Sequence, residues 1–161
     1  MDAISLLKEQ HEEVESLFTK FERAKSPNSK QAIFNVIADN FAAHSMIEER
    51  LFYPAVFVGE LRDRKYDAVE EHLAAKKLIA ELLNMDKSDP TFDSKVRILH
   101  DEIERHVDKE EGTLFPDVLK LFPKRELEAV GEAMEEMFDR LMEGAPRNSL
   151  PAELGQSAAL S

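Results

Sequence analysis

Four stretches of this chain carry apolar residues at alternating steps of three and four, and each of the four seams contains a histidine. The first reads Ile4, Leu7, His11, Val14, Phe18, Phe21, and the second Phe34, Ile37, Phe41, His44, Glu48, Leu51. The third runs Ala68, His72, Ala75, Ile79, Leu82, and the fourth Phe92, Val96, Leu99, Ile103, His106, Glu110, Leu114. Steps of this period make the buried stripe of a packed helix. Six polar side chains therefore fall on four core-facing seams.

Glycine and proline are scarce and mark the breaks between these stretches. A first helix is expected from an Asp2 cap to about Lys25, stopping at Ser26-Pro27-Asn28-Ser29, and a second from about Ser29 to Pro54, trailing into Val58-Gly59. A third should span Arg62 to Asp86. The fourth should open with Asp89 as cap and Pro90 in the first turn and end near Phe115-Pro116. In an antiparallel hairpin, two residues share a level when the turn lies midway between them. The midpoint of His11 and His44 falls at Pro27-Asn28, that of His44 and His72 beside Gly59, and that of His72 and His106 at Asp89. The four histidines thus belong to one layer of an all-α, antiparallel up-down four-helix bundle, with its core over residues 2–122. After Phe122-Pro123, Leu127, Val130, Met134, Met137 and Leu141 define a short additional C-terminal helix over 123–143. Residues 144–161 lack periodicity and read as a flexible tail.

The chain also repeats itself. HSMIEERLFYPAV from His44 aligns with HVDKEEGTLFPDV from His106, and the stretch around His11 with that around His72; the offsets are 62 and 61 residues. Helices one and two look like a hairpin repeated as three and four, giving approximate two-fold symmetry.

A single core histidine is ordinarily a hydrogen-bonded packing residue. Four at one level, two of them followed by glutamate a turn later, are a different case. In His-x-x-x-Glu the side chains are about 40° apart around the axis, so both can reach one ion. A buried, unpaired carboxylate loses several kcal/mol of solvation, and two such losses are large beside the roughly 5–15 kcal/mol that hold a domain together. A cation removes that cost; a polar network would need every proton and lone pair matched. His11, His44, Glu48, His72, His106 and Glu110 are the candidate metal ligands. Glu49 and Glu111 lie about 100° further round and are assigned to solvent or to supporting the ligands. Tyr53, off the seam, is assigned to packing or a nearby hydrogen bond, and His100 to a structural or surface role.

The 161 residues suffice for one domain with its own core. Cysteine is absent, so thiolate zinc and iron–sulfur chemistry are excluded and a metal must be held by nitrogen and oxygen. That absence, with no leader-like or apolar spanning segment, points to a cytoplasmic protein without a membrane partner. A net charge of −12 argues against nucleic acid.

His11, His44 with Glu48, His72, and His106 with Glu110 resemble the ligand pattern of hemerythrin-like (HHE cation-binding) domains, over about residues 1–122. The resemblance implies two non-haem irons, Fe2+ or Fe3+ with an oxo or hydroxo bridge, spanned by Glu48 and Glu110. It would assign His11 and His44 to one iron and His72 and His106 to the other. Zinc and manganese suit the same donors. The oxygen carriers of that family place a second histidine where this chain has Lys76 and use His-x4-Asp on the fourth helix; with one protein ligand fewer, simple reversible oxygen carriage is disfavoured. Ferritin-like proteins use Glu-x-x-His, and no histidine here has glutamate three residues before it.

The function this implies is a di-iron protein handling dioxygen, nitric oxide or peroxide as sensor, scavenger or carrier. The alternatives are an iron donor or store for metal-centre repair, and an interaction module with a structural metal. No general acid or base for an enzyme can be placed. A monomer or weak oligomer is expected, and no protein partner is indicated.

Overall fold

The computed structural model describes residues 1–152 and 154, and among these every regular element is helical. Helix α1 (Ala3–Arg23) opens where the Asp2 carboxylate accepts the Ser5 N–H at 3.0 Å, the expected cap. Helix α2 (Pro27–Ile47) begins two residues earlier than expected, with Ser26 accepting the Ser29 N–H at 3.1 Å. Pro27 sits in the first turn, where its fixed φ suits the helix and its missing N–H costs nothing. Helix α4 (Arg64–Asn84) is two residues shorter at each end than the expected Arg62–Asp86. Asp89 accepts from the Thr91 N–H at 2.8 Å, so it caps a turn through Pro90, and helix α5 (Phe92–Lys109) starts just beyond.

Neither Pro54 nor Pro116 ends its helix. After α2 the chain makes a single π-helical turn over Glu48–Phe52 and continues as α3 (Tyr53–Val56); after α5 it does the same over Glu110–Leu114 and continues as α6 (Phe115–Leu121). In each turn a backbone N–H reaches five residues back, from Tyr53 to Glu48 and from Phe115 to Glu110. The cause is local: proline brings no N–H, and its ring would strike the carbonyl four residues earlier in a regular helix. A widened turn relieves that contact and inserts one extra residue. Core positions beyond it shift by one. Leu51, expected on the seam, is only half-buried, while Phe52, Tyr53 and Val56 are buried; Leu114 stays buried, joined by Phe115 and Val118.

Helices α1, α2 with α3, α4, and α5 with α6 form the antiparallel bundle, and α7 (Lys124–Met142) packs along α1 and α2. The core is in two parts. Val14, Phe18, Phe34, Ile79 and Leu99 belong to one apolar cluster, and Leu7, Ile47, Phe52, Leu114 and Met134 to another. The histidine layer lies between them. Part of the segment expected to be a flexible tail is instead packed: Pro146–Ser149 forms a 3-10 turn on α2, Arg147 binds the Asp39 carboxylate at 2.7 Å, and Leu150 is buried in the first cluster. One apolar side chain entering the core anchors what the missing periodicity did not reveal; residues 153 and 155–161 of that expected tail lie outside the described residues. Among the described residues no helix is long and apolar enough to cross a membrane.

Gly131 lets α7 approach the start of the chain. A Cβ there would lie 2.2 Å from the Met1 carbonyl oxygen and 2.6 Å from the Ala3 nitrogen. Gly131→Ala gains about 1 kcal/mol of helix propensity but forces backbone apart, and overpacking of this kind costs about 1–3 kcal/mol. The expected result is a Tm several degrees below that of the parent in a thermal melt; an unchanged or raised Tm would show that the start of α1 yields freely.

Candidate metal centre

All six candidate ligands are buried, with Glu48 fully inaccessible and none more than 8% exposed. Their inward atoms form two groups: His11, His44 and Glu110 in one, Glu48, His72 and His106 in the other, the ligand atoms of each lying within 4.8 Å of one another. Each group is two histidines and one carboxylate.

The two carboxylates link the groups. Glu110 faces His11 Nε2 at 3.3 Å with Oε1 and His106 Nε2 at 3.4 Å with Oε2. Glu48 Oε1 lies 3.1 Å from both His44 Nε2 and His72 Nε2. The His72 and His106 Nε2 atoms are 3.2 Å apart. Nitrogen lone pairs and carboxylate oxygens converging in an apolar interior fit a cation better than they fit one another. The same conclusion follows from single atoms: His11 Nε2, Glu48 Oε2 and Glu110 Oε1 are buried with no hydrogen-bond partner, a costly condition unless something else satisfies them.

The ring orientations are set from outside. Gln10 Oε1 accepts from His44 Nδ1 at 2.7 Å, and Glu111 Oε2 accepts from His11 Nδ1 at 2.8 Å. Glu49 lies 3.6 Å from His72 Nδ1 and Glu71 3.7 Å from His106 Nδ1, within ionic reach but too long for direct hydrogen bonds. A proton on Nδ1 leaves the Nε2 lone pair facing inward. The four supports close a ring, because each comes from the helix before the histidine it serves: α1 supports α2, the end of α2 supports α4, α4 supports α5, and the end of α5 supports α1. The sequence repeat underlies this order, since Gln10 and Glu71 precede equivalent histidines and Glu49 and Glu111 follow equivalent glutamates.

Glu49 and Glu111 thus support histidines, as one of their two expected assignments held. Gln10 and Glu71 were not singled out from sequence. Their signal was available: each is the residue before a seam histidine, about 100° round the helix, facing the neighbouring helix. Lys76 is also buried; its ammonium binds Glu49 at 2.7 and 3.0 Å, neutralising the support of His72.

The π turns bring in a further group. Tyr53, rotated inward, donates to Glu110 Oε2 at 2.7 Å and lies 3.2 Å from His72 Nε2. Its equivalent in the repeat is Phe115, whose ring stacks on His11 with an interplanar angle of 3°. One end of the site therefore has a hydroxyl and the other does not. Burial raises the Tyr53 phenol well above its ordinary value, and the Glu110 and Glu48 charges add to this, so the O–H is kept. Burial works against charge on His106, but the adjacent Glu110 carboxylate outweighs it and raises the imidazole well above its usual range. His11 is raised for the same reason. Burial opposes ionisation of Glu48 too, yet the neighbouring His44 and His106 imidazoles hold it well below the carboxylate range. The carboxylates thus favour protons on His11 and His106, and a metal would compete with those protons for the same nitrogens.

Two cavities reach the cluster. One of about 420 Å³ lies between α1, α2 and α5, with His11, His44 and His106 in its wall beside Val14, Phe41 and Ile103. Another of about 350 Å³ meets His106 and Glu110 from the α4 side. His100 stands apart from the six, stacked on Phe18.

A helical bundle with a buried histidine and carboxylate layer spanning its four helices defines a metal-binding four-helix protein. Residues 2–118 match the model of the hemerythrin HHE cation binding domain, and the chain belongs to that family. It is similar to a crystal structure of a hemerythrin HHE cation binding domain-containing protein from Mycobacterium kansasii, with a TM-score of 0.81 at 24% identity over 92% of this chain and 99% of that one. It is also 32% identical over 117 residues to a protein of Nostoc sp. named DNA nickase; the match covers 71% of this chain and 33% of that protein, so the chain spans about a third of that relative's length.

If the outer acceptors orient the rings, Glu111→Ala should weaken metal binding about 10–100-fold, the usual effect of removing a partner of a metal-bound histidine. Competition against a chelator of known affinity measures this. Glu13→Ala, an exposed site on α1, should leave affinity unchanged; equal loss in both variants would point to charge alone.

Proposed function

We propose that the protein is a non-haem di-iron protein that handles a small ligand, dioxygen, nitric oxide or peroxide, as a sensor, scavenger or carrier. The observation that carries this is the pairing of two groups of two histidines and one carboxylate, since that donor set with open positions suits Fe2+. His11, His44 and Glu110 would hold one iron and Glu48, His72 and His106 the other. Contacts of Glu48 and of Glu110 with histidines of both groups support a bridging role for each.

Bound iron would supply one-electron redox chemistry and coordination positions that six protein groups leave open. The chain's own residues do the rest. The wall of Val14, Phe41 and Ile103 favours a small uncharged ligand, while Glu12, Glu15, Glu104 and Asp108 around the same cavity discourage anions. The Tyr53 hydroxyl keeps a proton at Oη and offers it to Glu110. The same acidic surround, with a net charge of −12, favours such ligands over the DNA that the name of the Nostoc relative points to.

Protein made in iron-rich medium should contain two irons per chain, one for each donor group, and show near-ultraviolet absorption that changes on adding nitric oxide or peroxide. Glu48→Gln should lose most of the metal. Chelation should also lower Tm: at a free metal concentration about 1,000 times Kd, binding contributes about 4 kcal/mol, or roughly 10 °C for a domain of this size. An iron-free protein after such expression, or a Tm indifferent to chelator, would sink the reading.

A further inference from the structure

His100, Glu15 and Glu104 make a third cluster of ligating atoms. His100 Nε2 lies 2.8 Å from Glu15 Oε2 and 3.1 Å from Glu104 Oε1. As in the two buried groups, the three ligating atoms lie within 4.8 Å of one another. Glu15 comes from α1, and His100 and Glu104 are one turn apart on α5, so the cluster spans the gap between these helices. The His100 ring is held flat on Phe18, with centroids 4.3 Å apart and planes at 13°. Its side chain is 16% exposed, whereas the two glutamates are about half exposed.

The place of the cluster gives it meaning. Glu15 and Glu104 both line the 420 Å³ cavity whose inner wall is His11, His44 and His106. Glu15 follows His11 by four residues, about 6 Å along α1. A cation held by Glu15, His100 and Glu104 would therefore sit at the mouth of the space that leads to the buried donors. A cation reaching the buried donors must shed water, and a half-exposed site of one imidazole and two carboxylates replaces part of that shell before the last step.

We propose that Glu15, His100 and Glu104 form an outer divalent-cation site, suited by its nitrogen and oxygen donors to Fe2+, Mn2+ or Zn2+, through which metal passes to the buried centre. The role as a passage rests on the di-iron reading above. The competing arrangement is an imidazolium bound by two carboxylates and nothing more.

The test uses the full chain with its iron content measured first, which separates failure of the outer site from failure of the buried one. Mn2+ titrated into the iron-loaded protein and followed by electron paramagnetic resonance should show one further ion per chain. His100→Phe, which keeps the stack on Phe18, and Glu104→Gln should each abolish that ion. Both should also slow iron uptake by the metal-free protein several-fold while the final iron content stays the same. No additional Mn2+ in the parent, binding retained in both variants, or uptake at the parent rate would overturn the proposal.

Discussion

The rest of the structure depends on one constraint: a layer of imidazoles and carboxylates lies across the middle of an apolar core, and every one of its polar atoms must be matched. The core is divided in consequence, with one apolar cluster on either side of the layer. Length, turns and register follow from the need to bring four histidines to one height. Leu7 and Ile47 on one side, and Val14 and Phe41 on the other, flank the layer with apolar surface, which strengthens the electrostatic contacts within it and makes each unmatched atom more costly.

Support for the layer passes around the bundle. Gln10, Glu49, Glu71 and Glu111 each face the Nδ1 of a histidine on the next helix, so His11 and His44 are held by hydrogen bonds while His72 and His106 face a carboxylate within ionic reach. The approximate two-fold symmetry of the repeat is broken at several positions beside the layer. Gln10 is neutral where Glu71 is charged, and Phe115 stands where Tyr53 carries a hydroxyl. The surroundings of the two donor groups are therefore chemically unlike, and the larger cavity opens onto His11, His44 and His106.

Most of this was legible in the sequence because helical period and turn position are independent measures of the same geometry. The period assigned His11, His44, Glu48, His72, His106 and Glu110 to inward faces; Pro27, Gly59 and Asp89 fixed their depth. What escaped was whatever depends on a departure from the regular helix. The shift from Leu51 to Phe52 and Tyr53 cannot be counted in steps of three and four once the turn before Pro54 widens. The pairing of His100 with Glu15 escaped for another reason: 85 residues separate them, and no periodicity within one helix reports on its neighbour. Leu150 was missed because a single anchoring side chain makes no pattern.

The two widened turns act as phase shifters. Each holds one residue more than an α-helical turn, so the faces of Tyr53–Val56 and Phe115–Leu121 are rotated about 100° from where the preceding seam would aim them. Elsewhere in these helices, adding or removing a residue would scramble the packing of everything beyond it. Here the slip is already part of the design, placed immediately after the glutamates, so that the same backbone irregularity that finishes the donor set also chooses which aromatic ring closes over it.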